Sequence, residues 1–214
     1  MKAEKIIAIV AVMLGLVLYS SLAEGALITI QIEGVVDNVM DVGNYLEGKI
    51  KVGDTFTGSY TYDSDTPDSS PLDLVQGNYW HYNPPAGISL NVGGFDFKTD
   101  PANVEFHVAI RNDIQPGGSD IYALGSSNNL LLSNGTSVEG ITWQLYDPTG
   151  NALSSDALPT TAPVLEDWQS NVLHIYGYKD RFHIYATVTS AQIIPEPATI
   201  LMLGFGCLLL RKIR

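Results

Sequence analysis

The sequence predicts an all-β domain, a two-sheet antiparallel β-sandwich of jelly-roll or immunoglobulin-like type. Three observations predict it. Between residues 24 and 194 apolar and polar side chains alternate with a period of two, helical periodicity is scarce, and turn-forming residues separate the apolar runs. A chain of 214 residues, 45% apolar and 16% charged, is long and apolar enough for one packed core. No internal repeat and no Pro- or Gly-rich linker divides it.

The strands follow in order. Ile28, Ile30 and Ile32 alternate with Thr29, Gln31 and Glu33, and Phe56, Gly58, Tyr60 and Tyr62 alternate with Thr55, Thr57, Ser59 and Thr61. Each run has one apolar and one wet face. The clearest hairpin joins Ile88 through Val92 to Phe95 through Lys98 across Gly93 and Gly94. Two glycines supply the positive φ of a primed turn, and that loop sets Val92 opposite Phe95 and Leu90 opposite Phe97. Further strands read at Val104, Phe106, Val108 and Ile110, and at Ile141, Trp143 and Leu145, the latter ended by the turn sequence Asp147, Pro148, Thr149, Gly150. A last hairpin runs from Val172 to Tyr178 and from Arg181 to Thr189 around Lys179 and Asp180, with Phe182, Ile184, Ala186 and Val188 facing inward. The one helical candidate is a single turn opened by Pro163 and ending near Trp168.

The two ends read differently from the domain. Lys2 and Lys5 precede an uncharged run from Ile6 to Leu18, and Ser20, Ser21, Leu22 and Ala23 suit the small-residue pockets of a signal peptidase. That order predicts a secretory signal over residues 1 to 23, because the run is shorter than the roughly 20 residues of a spanning helix. At the other end, Ala198 through Leu210 is apolar and runs into Arg211, Lys212 and Arg214. At about 1.5 Å per residue it reaches some 20 Å, a short transmembrane stub whose cations fit a cytoplasmic margin. Cys207, the single cysteine, lies inside the stub, so no disulfide forms within the domain.

Before the stub stand Pro195, Glu196 and Pro197. Two prolines deny the backbone donors that a helix or ladder needs, which predicts an extended, accessible segment. Pro-Glu-Pro, a short hydrophobic helix and a basic terminus, in that order over residues 195 to 214, resemble the PEP-CTERM sorting signal of exported proteins in Gram-negative bacteria that make extracellular polysaccharide. The resemblance implies an exosortase as the processing enzyme, with Pro195, Glu196 and Pro197 as recognition residues and not catalytic ones. It also implies an inner-membrane intermediate that moves on to the cell surface or extracellular matrix. The segments 52–67 and 154–159 look similar to stretches recurring in one group of these proteins whose β-domain has no assigned activity.

Charge narrows the partners of the domain at residues 24 to 194. Lys49, Lys51, Lys98, Arg111, Lys179 and Arg181 face 21 acids, the 23 of the chain less Glu4 and Glu196. Such a surface repels nucleic acid and anionic membrane. Asp63, Asp65 and Asp68, with intervening hydroxyls, form a candidate calcium loop, although it lacks the glycine and closing glutamate of an EF-hand and resembles any solvated turn. A two-residue loop at Lys179 and Asp180 pairs Tyr176 with His183 and His174 with Tyr185, making the imidazoles diagonal neighbours. No third zinc ligand is identifiable there, so the group reads as a polar and aromatic outer face.

Tyr79, Trp80 and Tyr82 form a second aromatic cluster, a candidate saccharide surface if not ordinary strand packing. No nucleophile elbow, phosphate loop or zinc-protease helix is present. The expectation is therefore a non-enzymatic exported protein with a structural, adhesive or polysaccharide-associated role and no cofactor other than candidate calcium. Its alternatives are a secreted carbohydrate-active enzyme with the same tail and a calcium-stabilised adhesion module. A convergent carboxylate pair in a cleft separates the enzyme from the others.

Overall fold

The computed structural model describes residues 27–114 and 117–195; the expected signal peptide and, from Glu196 onward, the expected sorting tail lie outside the described residues. The described residues form ten strands: β1 (Leu27–Met40), β2 (Thr55–Asp63), β3 (Gln76–His81), β4 (Gly87–Val92), β5 (Phe95–Lys98), β6 (Phe106–Ile114), β7 (Ser119–Ser126), β8 (Val138–Asp147), β9 (Ser170–Gly177) and β10 (His183–Ile193). Two 3-10 turns, Leu165–Asp167 and Tyr178–Asp180, are the helical elements among the described residues, none of which is long and apolar enough to cross a membrane.

Alternation drives the strands as expected. Ile30, Ile32, Phe56, Tyr60 and Tyr62 are buried while Gln31, Glu33, Thr55 and Thr57 are exposed. The Gly93-Gly94 hairpin pairs Val92 with Phe95 and Leu90 with Phe97, and the last hairpin pairs Tyr176 with His183 and His174 with Tyr185. Val104 lies outside β6, although it is buried.

All ten strands are antiparallel and belong to one sheet in the order β3-β6-β7-β8-β9-β10-β1-β2-β4-β5. Where two separate sheets were expected, a single sheet curls until its inner face meets itself. A long twisted sheet can bury one face this way without giving up any ladder. Across the interior, the Tyr60 hydroxyl of β2 lies 2.9 Å from the Tyr122 hydroxyl of β7. Trp143 of β8 meets both rings edge-on, with centroids 5.8 Å and 5.9 Å away, and its indole N–H donates to Asn171 Oδ1 at 2.9 Å. The curl is fastened where β5 runs out: Leu130 N–H donates to the Lys98 carbonyl at 2.8 Å, Asp100 N–H to the Asn128 carbonyl at 2.9 Å, and the hydroxyls of Thr99 and Ser126 meet at 2.8 Å.

The strand order leaves β3 as an edge, reached by a crossing from β2, and sets β1 beside β10 in the middle of the sheet. That central pairing extends from Met40 opposite His183 to Ile30 opposite Ile193, and Ile194 N–H still donates to the Thr29 carbonyl at 2.9 Å. Pro195, exposed and without an N–H, ends the ladder.

Candidate ligand-binding face

Strand alternation splits the predicted aromatic cluster. Tyr79 faces the core, 7% exposed, with its hydroxyl donating to the Asp156 carbonyl at 2.9 Å, so it is withdrawn from any surface. Trp80 and Tyr82 face outward on and just beyond the edge strand β3, 38% and 62% exposed. Their planes are nearly parallel, 7° apart, with ring centroids separated by 6.2 Å. His107, opposite Trp80 on β6, stacks against it at 4.2 Å and is held by Asn78 Oδ1, 3.2 Å from Nε2. The indole is thus backed by His107 while remaining 38% exposed.

A second ring group occupies the same outward face on β9 and β10. His174 is its hub, stacked on Tyr185 at 4.3 Å and 2°, with Tyr176 at 4.9 Å and His183 at 5.3 Å. His174 Nε2 and His183 Nδ1 lie 3.0 Å apart, at hydrogen-bond distance, and Asp180 is 3.6 Å from His183 Nε2. Beside these rings a cavity of about 300 Å³ is lined by Thr142, Gln144, Ser170, Val172, His174 and Tyr185. Burial pushes the pKa of His174 down, helped by His183 and opposed by Asp180; burial does the same to His107, with Arg111 and His81 adding to it. Both imidazoles are therefore neutral at neutral pH and offer hydrogen bonds without charge.

Two of the three candidate calcium carboxylates, those of Asp63 and Asp68, accept backbone hydrogen bonds. Asp63 Oδ1 accepts the Asp65 N–H at 2.9 Å, and Asp68 Oδ1 accepts the N–H groups of Ser70 at 2.9 Å and Asn78 at 2.7 Å. These two carboxylates fasten the β2–β3 loop to itself and to β3, and no three His, Cys, Asp or Glu side chains gather as a metal site among the described residues. Of the sorting residues only Pro195 is described; Glu196, Pro197, Arg211, Lys212 and Arg214 lie outside the described residues.

Two carboxylates are buried: Asp120, which the sequence did not single out, and Asp147, which opens the turn expected at residues 147–150. Asp120 and Asp147 are paired across β7 and β8, 0% and 4% exposed. Asp120 accepts the N–H groups of Asp113 at 3.0 Å and Leu153 at 2.8 Å, and Asp147 accepts those of Thr149 at 2.9 Å and Asn151 at 2.8 Å. The same backbone donors hold the Asp147 carboxyl below its ordinary pKa. Both groups anchor turns at one end of the sheet. His81 is the remaining inward polar ring, packed against Tyr62 and Phe106 with its pKa lowered chiefly by burial. Compared with protein-family models, curated proteins and solved structures, the chain finds no match in any of the three.

Proposed function

We propose that this chain is an exported protein of the bacterial cell surface or extracellular matrix whose β-domain holds polysaccharide, in a structural or adhesive role without catalysis. The observation that carries the reading is the pair Trp80 and Tyr82, two exposed, nearly parallel rings at a sheet edge with Trp80 backed by His107. Rigid aromatic rings stack on the C–H faces of sugars at little entropic cost, and polar groups nearby take the hydroxyls. The acidic surface argues for a neutral glycan over an anionic one. Export and sorting rest on the resemblance of both chain ends to a signal peptide and a PEP-CTERM tail processed by signal peptidase and an exosortase. The curled sheet then serves as a sandwich scaffold of jelly-roll or immunoglobulin-like kind. Asp120 and Asp147 already accept backbone N–H groups, which favours binding over glycoside hydrolysis.

Affinity electrophoresis of the full chain in mild detergent, through gels containing xylan, mannan, hydroxyethylcellulose or alginate, tests the reading. Retardation by at least one neutral polymer is expected, and the double variant Trp80→Ala, Tyr82→Ala weakens it about tenfold, the loss of about 1.4 kcal/mol. Free migration in every neutral gel, or retardation by alginate alone, rejects the reading.

A further inference from the structure

The two ring groups are not independent patches. Register places Trp80 opposite His107, His107 opposite Gly125, Gly125 opposite Thr142, Thr142 opposite His174 and His174 opposite Tyr185. One straight row on the outward face therefore reads ring, ring, glycine, threonine, ring, ring. Each imidazole is backed on its outer side by a larger ring, Trp80 at 4.2 Å and Tyr185 at 4.3 Å. The two imidazoles border the gap between them, which spans three strand spacings, about 14 Å; Tyr176, stacked on His174 at 4.9 Å, leans toward β8 over Gly140 beside it.

Gly125 lies in that gap without a folding reason. It sits within an interior strand, where glycine weakens the sheet, and its φ is not in the left-handed region. A Cβ there meets only Thr142 Cγ2 at 3.5 Å and the Ile141 carbonyl at 4.0 Å, ordinary contacts. Gly140 in the next row of β8 is the contrast, since the Tyr176 ring lies over it and fills the place of a side chain. Over Gly125 nothing comparable is found among the described residues. Ala123, two residues back on β7, continues the low floor, and Thr142 and Gln144 border it with a hydroxyl and an exposed amide.

We infer that the gap over Gly125 and Thr142, flanked by His107 and His174, is a binding trough for one extended chain of a neutral glycan that crosses the strands from the Trp80 and Tyr82 shelf. The inference rests on the saccharide reading above and extends it from the Trp80 and Tyr82 shelf to a second subsite in the sheet. The walls offer ring faces to the C–H surfaces of pyranose units, while the exposed Gln144 amide and the Thr142 hydroxyl take their hydroxyls. A protein partner fits less well, because the floor offers no deep apolar pocket for an anchoring side chain.

The test uses the full chain in mild detergent and titrates β-1,4-linked xylo-, manno- and cello-oligosaccharides from disaccharide to hexasaccharide by calorimetry. Gly125→Val places a strand-favouring side chain in the trough, and His174→Ala removes the far wall. Both variants are expected to keep the wild-type melting temperature within a few degrees, to bind the hexasaccharide at least tenfold more weakly, and to bind the disaccharide as wild type does. Trp80→Ala is expected to weaken both lengths. Wild-type hexasaccharide affinity in His174→Ala, or in a folded Gly125→Val, overturns the trough while leaving the shelf intact. Absence of binding by the wild-type chain to every oligosaccharide overturns the saccharide reading itself.

Discussion

At the residue scale the most informative groups are the buried tyrosines. Tyr60 and Tyr122 are fully enclosed, and each hydroxyl satisfies the other. Tyr122→Phe strands the Tyr60 hydroxyl in the core and is expected to cost about 1–3 kcal/mol in chemical denaturation. The double change Tyr60→Phe, Tyr122→Phe removes both partners and is expected to cost less than the sum of the single changes, a coupling that a double-mutant cycle reads directly. Burial also holds Tyr60, Tyr62 and Tyr122 above the ordinary tyrosine pKa. The unfolded chain therefore ionises first, so stability present below about pH 10 is lost above it. On the acid side His81, His107 and His174 sit below their ordinary value. The unfolded chain takes up protons first as pH falls through about 6.5, and stability present above that pH declines below it. Urea midpoints at a series of pH values are expected to trace a plateau bounded by both losses, and a midpoint rising from pH 7 to pH 5.5 contradicts the histidine assignment. Single residues were legible in part. Trp80 and Tyr82 read as surface aromatics, but Tyr79 differs from its neighbour only by the parity of a strand whose phase the sequence does not mark.

At the element scale, turns were the best-read features because their chemistry is local. The β4–β5 hairpin follows from Gly93 and Gly94 with φ of 58° and 78°. The two glycines are not equivalent: a Cβ on Gly93 meets Ile50 Cγ1 at 2.6 Å and the Lys49 carbonyl at 2.8 Å, whereas a Cβ on Gly94 meets nothing within 4 Å. Gly93→Ala is therefore expected to lower the melting temperature more than Gly94→Ala, which carries only the cost of the left-handed backbone, about 1 kcal/mol. Strands β3 and β7 were missed for a physical reason. Their inward positions include Gly77 and His81 in β3, and Asp120 and Ser126 in β7, where turn anchoring and the seam demand polar groups. Alternation is scrambled wherever a strand end carries such duties. The cross-strand partners of His107 and Gly125 were consequently invisible, and with them the row that joins the two ring groups.

At the scale of the whole molecule, pairing of β1 with β10 brings the first and last strands of the described domain together in mid-sheet. The ladder persists to Ile194 and stops at Pro195, so cleavage beyond that residue leaves every described backbone hydrogen bond in place. Intact-mass measurement of the protein from its native surface fraction is expected to show residues 1 to 23 and the tail after the Pro-Glu-Pro segment removed. A mass that includes residues 1 to 23 contradicts the cleaved signal peptide. Strand order itself was not readable from sequence, because the departure of β3 from β2 to the far edge depends on which face of the curl closes over which. The same order is what places the two ring groups on one outward face. Of the three tryptophans, Trp143 and Trp168 are buried while Trp80 is 38% exposed, so collisional quenching of fluorescence by acrylamide reports chiefly on Trp80. Quenching measured with and without a saturating neutral glycan therefore observes the binding shelf itself. Shielding of the quenchable fraction on glycan addition, lost in Trp80→Phe, is the predicted result, and an unchanged quenching constant under saturating glycan contradicts the account.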